Sequence, residues 1–138
     1  MDMRSENQRV ISEFRARQGS VGGAYTGMTM LLLHHVGVKT GMERVTPLTY
    51  WPVADKSMAV LASNFGSPKH PAWYHNLRAK PLTTVEVGGR VLRVRARVAG
   101  PRERQMLLRQ IVAKTPSVAA AIANTAREIP IVLLAPSA

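Results

Sequence analysis

A two-glycine turn between two strand-like segments constrains the fold of this chain more than any other feature. Gly88-Gly89 separates residues 82–87 from residues 90–98, and such a pair is a strong signal for a tight β-hairpin. In the second segment arginines alternate with apolar residues, which is the period of a strand with one polar and one apolar face. The pattern predicts an antiparallel sheet with one buried side.

The other predicted elements extend this sheet into an α+β domain. Further strands are predicted at residues 28–36, 44–52, 58–63 and 131–134, and helices at residues 2–18, 71–79, 101–114 and 116–127. Hairpin connections dominate, and no regular strand–helix–strand alternation of a parallel fold is present. The order therefore predicts an antiparallel sheet or small barrel of about six strands with flanking helices.

The N-terminal helix is predicted to be separate from the barrel. Its apolar side chains Val10, Ile11 and Phe14 share one face, and the glycine-rich residues 19–23 end it. We therefore divide the chain into an arm at residues 1–23 and a barrel domain at residues 24–138. The arm is expected either to dock loosely on the barrel or to make peripheral contact with a membrane surface.

Composition excludes several classes of protein. The 138 residues contain no cysteine, which rules out disulfide scaffolds, thiol nucleophiles and iron–sulfur sites. No apolar run approaches the ~20 residues of a membrane helix, and the N-terminus lacks the apolar core of a signal peptide. We expect a cytoplasmic protein. The net charge of +11, with 14 arginines among 19 basic residues, predicts anionic partners.

Three segments are candidate binding elements. The turn at residues 37–44 offers backbone N–H groups with Lys39, Thr40 and Arg44, a set that suits phosphate, although an ordinary hairpin turn fits equally well. Residues 62–66 place Ser63 and Asn64 where a strand ends, which is a frequent ligand-binding position and also a frequent plain loop. Residues 71–77 carry Trp73, which belongs either to the core or to the wall of an aromatic ligand site.

Other side chains do not form a catalytic pattern. His34 and His35 are adjacent on a strand and point to opposite faces, so they cannot share a metal ion, and no metal site is predicted. The sequence contains no GxSxG motif for acyl transfer. The exposed arginines of residues 93–97 form either a solvated face or an anion-binding surface.

The ordered set of motifs resembles the deazaflavin-dependent nitroreductase family. The segments that carry the resemblance are Gly37-x-Lys39-Thr40-Gly41-x-x-Arg44-x-x-Pro47-Leu48, Ala62-Ser63-Asn64, Pro71-x-Trp73-Tyr74-x-Asn76-Leu77 and Ile129-Pro130-Ile131-Val132. Each motif alone is weak, but their order and spacing together are specific. The resemblance covers most of the chain after the N-terminal helix.

The resemblance implies a split β-barrel that binds coenzyme F420, a deazaflavin with a phospholactyl-oligoglutamate tail. Lys39, Thr40 and Arg44 then match positions that hold this tail, and Pro47 matches a position in the cofactor groove. Ala62, Ser63 and Asn64 match contacts to the ring or phosphate, with Ser63 a candidate donor. Trp73 and Tyr74 match the support of that loop, and Asn76 matches a structural position. The implied activity is F420H2-dependent hydride transfer to a quinone, enone or nitro compound.

The region implied to face the acceptor departs from the family pattern. Members that reduce nitroimidazoles and quinones place tyrosines there, whereas residues 115–122 contain no aromatic side chain. Thr115, Ser117 and Val118 are the residues expected on this side. Quinones and enones, which are already electrophilic, are therefore expected to be better acceptors than nitro compounds.

Three other functions remain open from the sequence. They are an F420 carrier without turnover, an FMN-dependent oxidoreductase of the same fold, and a basic nucleic-acid-binding module. The last is disfavoured because only seven aromatic residues are present, too few to interleave with the basic residues. We predict no nucleic-acid partner, and a monomer or weak homodimer.

Overall fold

A seven-stranded antiparallel sheet forms the centre of the computed structural model, which describes residues 3–137. The strands are β1 (Met30–Val36), β2 (Glu43–Thr49), β3 (Trp51–Pro52), β4 (Met58–Leu61), β5 (Leu82–Val87), β6 (Arg90–Val98) and β7 (Ile131–Pro136). The helices are α1 (Met3–Ala16), α2 (Ala72–Ala79), α3 (Pro101–Lys114) and α4 (Ser117–Ala123). The strands lie in the order β2-β1-β5-β6-β7-β4-β3.

One continuous segment closes this sheet into a split barrel. β2 pairs with β1 at one edge of the sheet, and β3 pairs with β4 at the other edge. Only Tyr50 separates β2 from β3, so both edges belong to the same stretch of chain. Pro47 is tolerated within β2 because an edge strand has one side free of ladder hydrogen bonds. The predicted α+β split barrel is confirmed, with the predicted strand 44–52 divided into β2 and β3.

The period-two pattern of β6 sorts its side chains as predicted. Val94 and Ala96 are buried in the barrel interior, while Arg93 and Arg95 are exposed on the outside. The interior also holds buried side chains from the other strands, including Leu31, Leu33, Val60, Val85 and Leu134. A second apolar layer lies outside the sheet, where Leu107 and Ile111 of α3 cover Leu133.

The N-terminal helix packs on the outer surface of the barrel. Val10 and Phe14 are buried against Met30 and Leu32 of β1. Arg15 anchors the far end of the helix, because its Nη2 lies 2.8 Å from Glu86 Oε2 on β5. The division into an arm and a barrel domain stays a prediction. Among the described residues, no helix has the length and apolarity that crossing a bilayer requires.

Two helices end at an earlier residue in the structure than the sequence predicts. α1 ends at Ala16, and the chain then reverses through Gly19, whose φ of +105° suits glycine and whose N–H donates to the Phe14 carbonyl. α4 ends at Ala123 rather than 127; the Asn124 N–H still donates to the Ala120 carbonyl, and side-chain contacts hold the segment beyond it. Arg104 Nε, for example, donates to the Ile129 carbonyl at 2.9 Å. Asp2, where the first helix was predicted to begin, lies outside the described residues.

Candidate functional site

A cleft of about 820 Å³ opens where β2 bends into β3. Its walls come from the β2–β3 segment, the approach to β1 at residues 25–30, the loop after β4, α2 and α4. Because these elements meet at the split in the barrel, the cleft is part of the rigid scaffold. Its volume lies in the range of sites that bind drug-sized ligands.

Two tryptophans give the cleft rigid aromatic walls. Trp73 is only 5% exposed; it packs in the barrel core, and it also lines the cleft. Its predicted role as the wall of an aromatic ligand site stays a prediction. Trp51 on β3 donates its indole N–H to Thr115 Oγ1 at 2.9 Å. Tyr50, Leu61 and Ile129 add further apolar surface. A flat aromatic ligand suits walls of this kind.

The loop after β4 brings Ser63 and Asn64 into the cleft wall. Arg127 holds this loop from behind: its Nη2 donates to the carbonyls of Ala62 and Ser63, each at 2.9 Å, and its Nε donates to the Ser67 carbonyl at 3.1 Å. Ala62 itself is buried and does not line the cleft. Arg127 was not identified from the sequence, because nothing in its neighbourhood distinguishes it from the other arginines.

His70 completes the support of this loop. Its Nδ1 lies 2.9 Å from Arg127 Nη1, and since a guanidinium only donates, this nitrogen is the acceptor. Burial, together with the charge of Arg127, lowers the pKa of His70, which favours this neutral form. The Tyr74 ring packs on His70 at 4.6 Å between centroids. Tyr74 lies beside a separate pocket of about 270 Å³ rather than in the cleft.

The predicted phosphate-binding turn lies outside the cleft lining. Lys39, Thr40 and Arg44 are all exposed, and the turn is closed by the Gly37 N–H, which donates to the Met42 carbonyl at 2.9 Å. A Cβ at Gly37 would lie 2.6 Å from Thr40 Oγ1, so a larger residue there would require the Thr40 side chain to move. Arg44 is two residues from Thr46 on β2, and alternate strand residues share a face. Thr46 and Pro47 both line the cleft.

A buried hydrogen-bond network stands behind Thr46. Thr46 Oγ1 lies 2.9 Å from His35 Nε2, and His35 Nδ1 lies 2.9 Å from Asn76 Nδ2. Asn76 Oδ1 accepts the Val38 N–H at 3.0 Å, which ties α2 to the β1–β2 turn. Burial, with smaller contributions from the charges of Arg44 and His34, lowers the pKa of His35 to about 4. The structural position expected of Asn76 agrees with these contacts.

The residues of the predicted acceptor side also line the cleft. Thr115, Ser117 and Val118 line the cleft together with Ala121 and Ile122 of α4. No aromatic side chain occurs in this wall between residues 114 and 122. Lys114 also lines the cleft, whereas no Asp or Glu does among the residues that the structure describes. The positive charge of Lys114 therefore favours an anionic ligand in the cleft. The residues of α4 form a small, largely apolar surface that a second ligand could contact.

Comparison with known proteins gives consistent matches. Residues 6–136 match the profile of the F420H(2)-dependent quinone reductase family. An F420H(2)-dependent quinone reductase of Mycobacterium tuberculosis is 37% identical over 91 residues, which are 65% of this chain and 60% of that protein. The chain thus spans about three fifths of the length of this relative.

Solved structures share the fold and part of the sequence. An F420H2-dependent reductase, FDR-A, superposes with a TM-score of 0.67 at 33% identity, covering 77% of this chain and 93% of its own. A domain-swapped dimer superposes with a TM-score of 0.69 at 30% identity, covering 95% of this chain and 98% of its own. The second of these similarities extends over nearly the whole chain.

Proposed function

The chain belongs to the F420H(2)-dependent quinone reductase family, and from this premise we propose that it binds reduced coenzyme F420 and reduces a quinone. The observation that carries the proposal is the cleft itself. Its walls hold two tryptophans for a flat ring, and its lining carries Lys114 without a carboxylate among the described residues. A deazaflavin with a polyanionic tail fits this set of side chains.

The residues divide into those that hold the ring and those that hold the tail. Trp51, Trp73 and Pro47 provide apolar walls for the ring, and Ser63 and Asn64 present polar groups at the edge of this surface. Lys39, Thr40 and Arg44 are exposed and lie outside the cleft lining, and we assign them to the flexible anionic tail. Exposed cations of this kind attract carboxylates while they remain hydrated.

Buried Ala62 and Tyr74 support the loop after β4 rather than contact the ligand.

In this proposal the protein orients the two reactants and excludes water from them. When bound, F420H2 supplies a hydride, and the overall exchange converts F420H2 and a quinone to F420 and a hydroquinone. Apolar side chains of α4 exclude water from the acceptor side, and the rigid aromatic walls restrict the approach of the acceptor. The Ser63 hydroxyl is the candidate donor to the oxygen on which negative charge develops, and solvent supplies the proton.

The acceptor wall favours quinones over nitro compounds. Thr115 and Ser117 offer only short hydroxyls, and the Thr115 oxygen already accepts the Trp51 indole N–H. Weak stabilisation of a developing oxyanion penalises a poorly electrophilic acceptor most. We therefore expect quinones and enones to be reduced well and nitroimidazoles slowly. An F420 carrier without turnover and an FMN-dependent oxidoreductase are the alternatives that the assay must separate.

Location and assembly stay predictions. Any membrane contact through α1 would use its arginines, since Val10 and Phe14 are buried against the barrel. Sedimentation with anionic and neutral vesicles would test this contact. The predicted monomer or weak homodimer is open to light scattering, and the cytoplasmic location is open to fractionation.

The two tryptophans make cofactor binding directly measurable. Trp51 and Trp73 are the only tryptophans of the chain, and both line the cleft. We expect F420 to quench their fluorescence with a dissociation constant in the micromolar range, about −8 kcal/mol, and FMN to bind much more weakly. Oxidation of F420H2 should then be followed by absorbance with a soluble benzoquinone and, in parallel, with a nitroimidazole.

Each outcome of this experiment selects one function. Tight binding of F420 with quinone-dependent oxidation supports the proposal. Tight binding without oxidation of F420H2 by any acceptor would identify a carrier. Equal affinity for FMN and F420 would remove the deazaflavin assignment, and fast turnover of the nitroimidazole would show that tyrosines are dispensable on the acceptor side.

A further inference from the structure

The hydrogen-bond network behind Thr46 has a defined direction. The Val38 N–H can only donate, so Asn76 Oδ1 is its acceptor and the Asn76 amide nitrogen faces His35. Because that nitrogen can only donate, His35 Nδ1 must accept. Neutral His35 then carries its proton on Nε2 and donates it to Thr46 Oγ1.

The neutral form of His35 is the one expected near pH 7. His35 is 4% exposed, and burial lowers its pKa to about 4. Protonation would place a second donor opposite the Asn76 amide nitrogen and break the network. The direction of the hydrogen bonds is therefore set by one backbone group and is kept by burial.

The network leaves one donor at the cleft. Thr46 Oγ1 accepts from His35, so the hydroxyl hydrogen points away from the ring. No acceptor for this hydrogen is found among residues 3–137, and Thr46 lines the cleft. A ligand group that meets this hydroxyl must therefore accept a hydrogen bond.

Charge identifies the kind of acceptor. Arg44 shares the face of β2 with Thr46, and it pairs in register with His35, whose pKa its charge helps to lower. A cation two residues along the strand favours an oxygen that carries negative charge. Along the chain, Thr46 lies between Arg44, a cation assigned to the tail, and Trp51, a cleft wall assigned to the ring.

We propose that Thr46 donates a hydrogen bond to an anionic oxygen of the cofactor's phosphate-bearing tail, and that His35 and Asn76 are positioning residues that aim this hydroxyl. The inference rests on the proposed function. It adds a ligand contact and a mechanism of orientation that neither the motifs nor the comparisons assign.

The experiment compares Thr46→Val with Thr46→Ser by tryptophan quenching. Valine keeps the shape and removes the donor, so the dissociation constant of F420 should rise roughly tenfold to a hundredfold, as for a lost hydrogen bond to a charged group. Serine should restore affinity to within a few-fold of the wild type. Binding of a deazaflavin without the phosphate and glutamates should not change in either variant.

Two further variants complete the design. Thr84→Val makes the same change on β5, outside the cleft, and should bind F420 like the wild type. His35→Phe removes the ring donor and should weaken F420 binding several-fold through loss of orientation, while its melting temperature shows that it is folded. Unchanged affinity in His35→Phe would overturn the positioning role.

The outcomes separate this inference from the proposed function. If the wild type binds F420 and Thr46→Val binds it equally well, the inference is wrong and the function stands. If Thr46→Val weakens the tail-free deazaflavin as much as F420, the assignment to the tail is wrong. If the wild type binds no F420, the proposed function fails and the inference fails with it.

Discussion

At the scale of single residues, the adjacent residues His34 and His35 differ in the charge of their hydrogen-bond partners. His34 lies between two carboxylates, with Nδ1 at 2.8 Å from Glu43 and Nε2 at 2.7 Å from Glu86. His35 is enclosed in the barrel and bonds only uncharged partners, Asn76 and Thr46. Burial therefore dominates the titration of His35 and lowers its pKa.

We expect His35 to make the fold acid-sensitive between pH 6.5 and about 4. Its pKa is lowered from 6.5 to about 4, so the unfolded chain binds a proton in this range and the native protein does not. The stabilising contribution is complete above pH 6.5 and is lost as the pH falls through 4, amounting to about 3 kcal/mol. Urea unfolding at pH 7, 5.5 and 4 measures it. Over the same pH range, the free energy of unfolding of His35→Gln should fall by about 3 kcal/mol less than that of the wild type. Equal decreases in the two proteins would contradict the assignment to His35.

The sequence predicted the faces of these residues but not their partners. Strand alternation alone placed His34 and His35 on opposite sides of β1, which the structure confirms. Their partners lie on β2, β5 and α2, far away along the chain, and only the closed barrel brings them together. Arg127 was missed for the same reason, since its four acceptors belong to residues 57 to 65 positions earlier.

At the scale of elements, the loop after β4 depends on the segment after α4. Arg127 bonds three carbonyls and His70 of this loop, so it fixes the backbone that carries Ser63 and Asn64 into the cleft. Periodicity predicted the strands and most helix bounds well, because apolar alternation is local. It extended α4 to residue 127, because an alanine-rich sequence favours helix while side-chain anchoring by Arg127 and Arg104 decides the end.

Arg127→Met should therefore loosen the loop and weaken cofactor binding. The Ala62 and Ser63 carbonyls lose a charged donor, which costs about 1–3 kcal/mol where they stay buried. We expect faster amide hydrogen exchange at residues 62–70 and about a tenfold higher dissociation constant for F420, a change of about 1.4 kcal/mol. The matched control is Arg109→Met on the exposed side of α3, which should change neither quantity. Unaltered exchange in Arg127→Met would show that the loop is held by other contacts.

At the scale of the whole molecule, net charge and local charge make separate contributions to ligand binding. The +11 charge raises the concentration of any anion near the surface, but salt screens it over about 10 Å at 0.1 M ionic strength. Arginines on the outer face of β6, such as Arg93, contribute only to this general attraction. Lys39 lies in the β1–β2 turn and Arg44 lies near the start of β2, and both are expected to contact the tail directly. The sequence predicted the charge, the barrel and the turn, while the cleft between distant elements became visible only in the closed structure.

Three variants with the same change of net charge separate these contributions. Arg44→Ala should raise the dissociation constant of F420 about tenfold, as for the loss of a charge-assisted contact, and Lys39→Ala should act in the same direction. Arg44→Ala should also reduce the slope of log Kd against log salt concentration between 0.05 and 0.5 M, because fewer charges remain to be screened. Arg93→Ala removes one positive charge from an exposed position outside the cleft and should change Kd less than about twofold. Melting temperatures should be unchanged in all three, since each side chain is exposed. Equal effects of Arg44→Ala and Arg93→Ala would mean that general attraction alone binds the tail and that the β1–β2 turn is an ordinary hairpin.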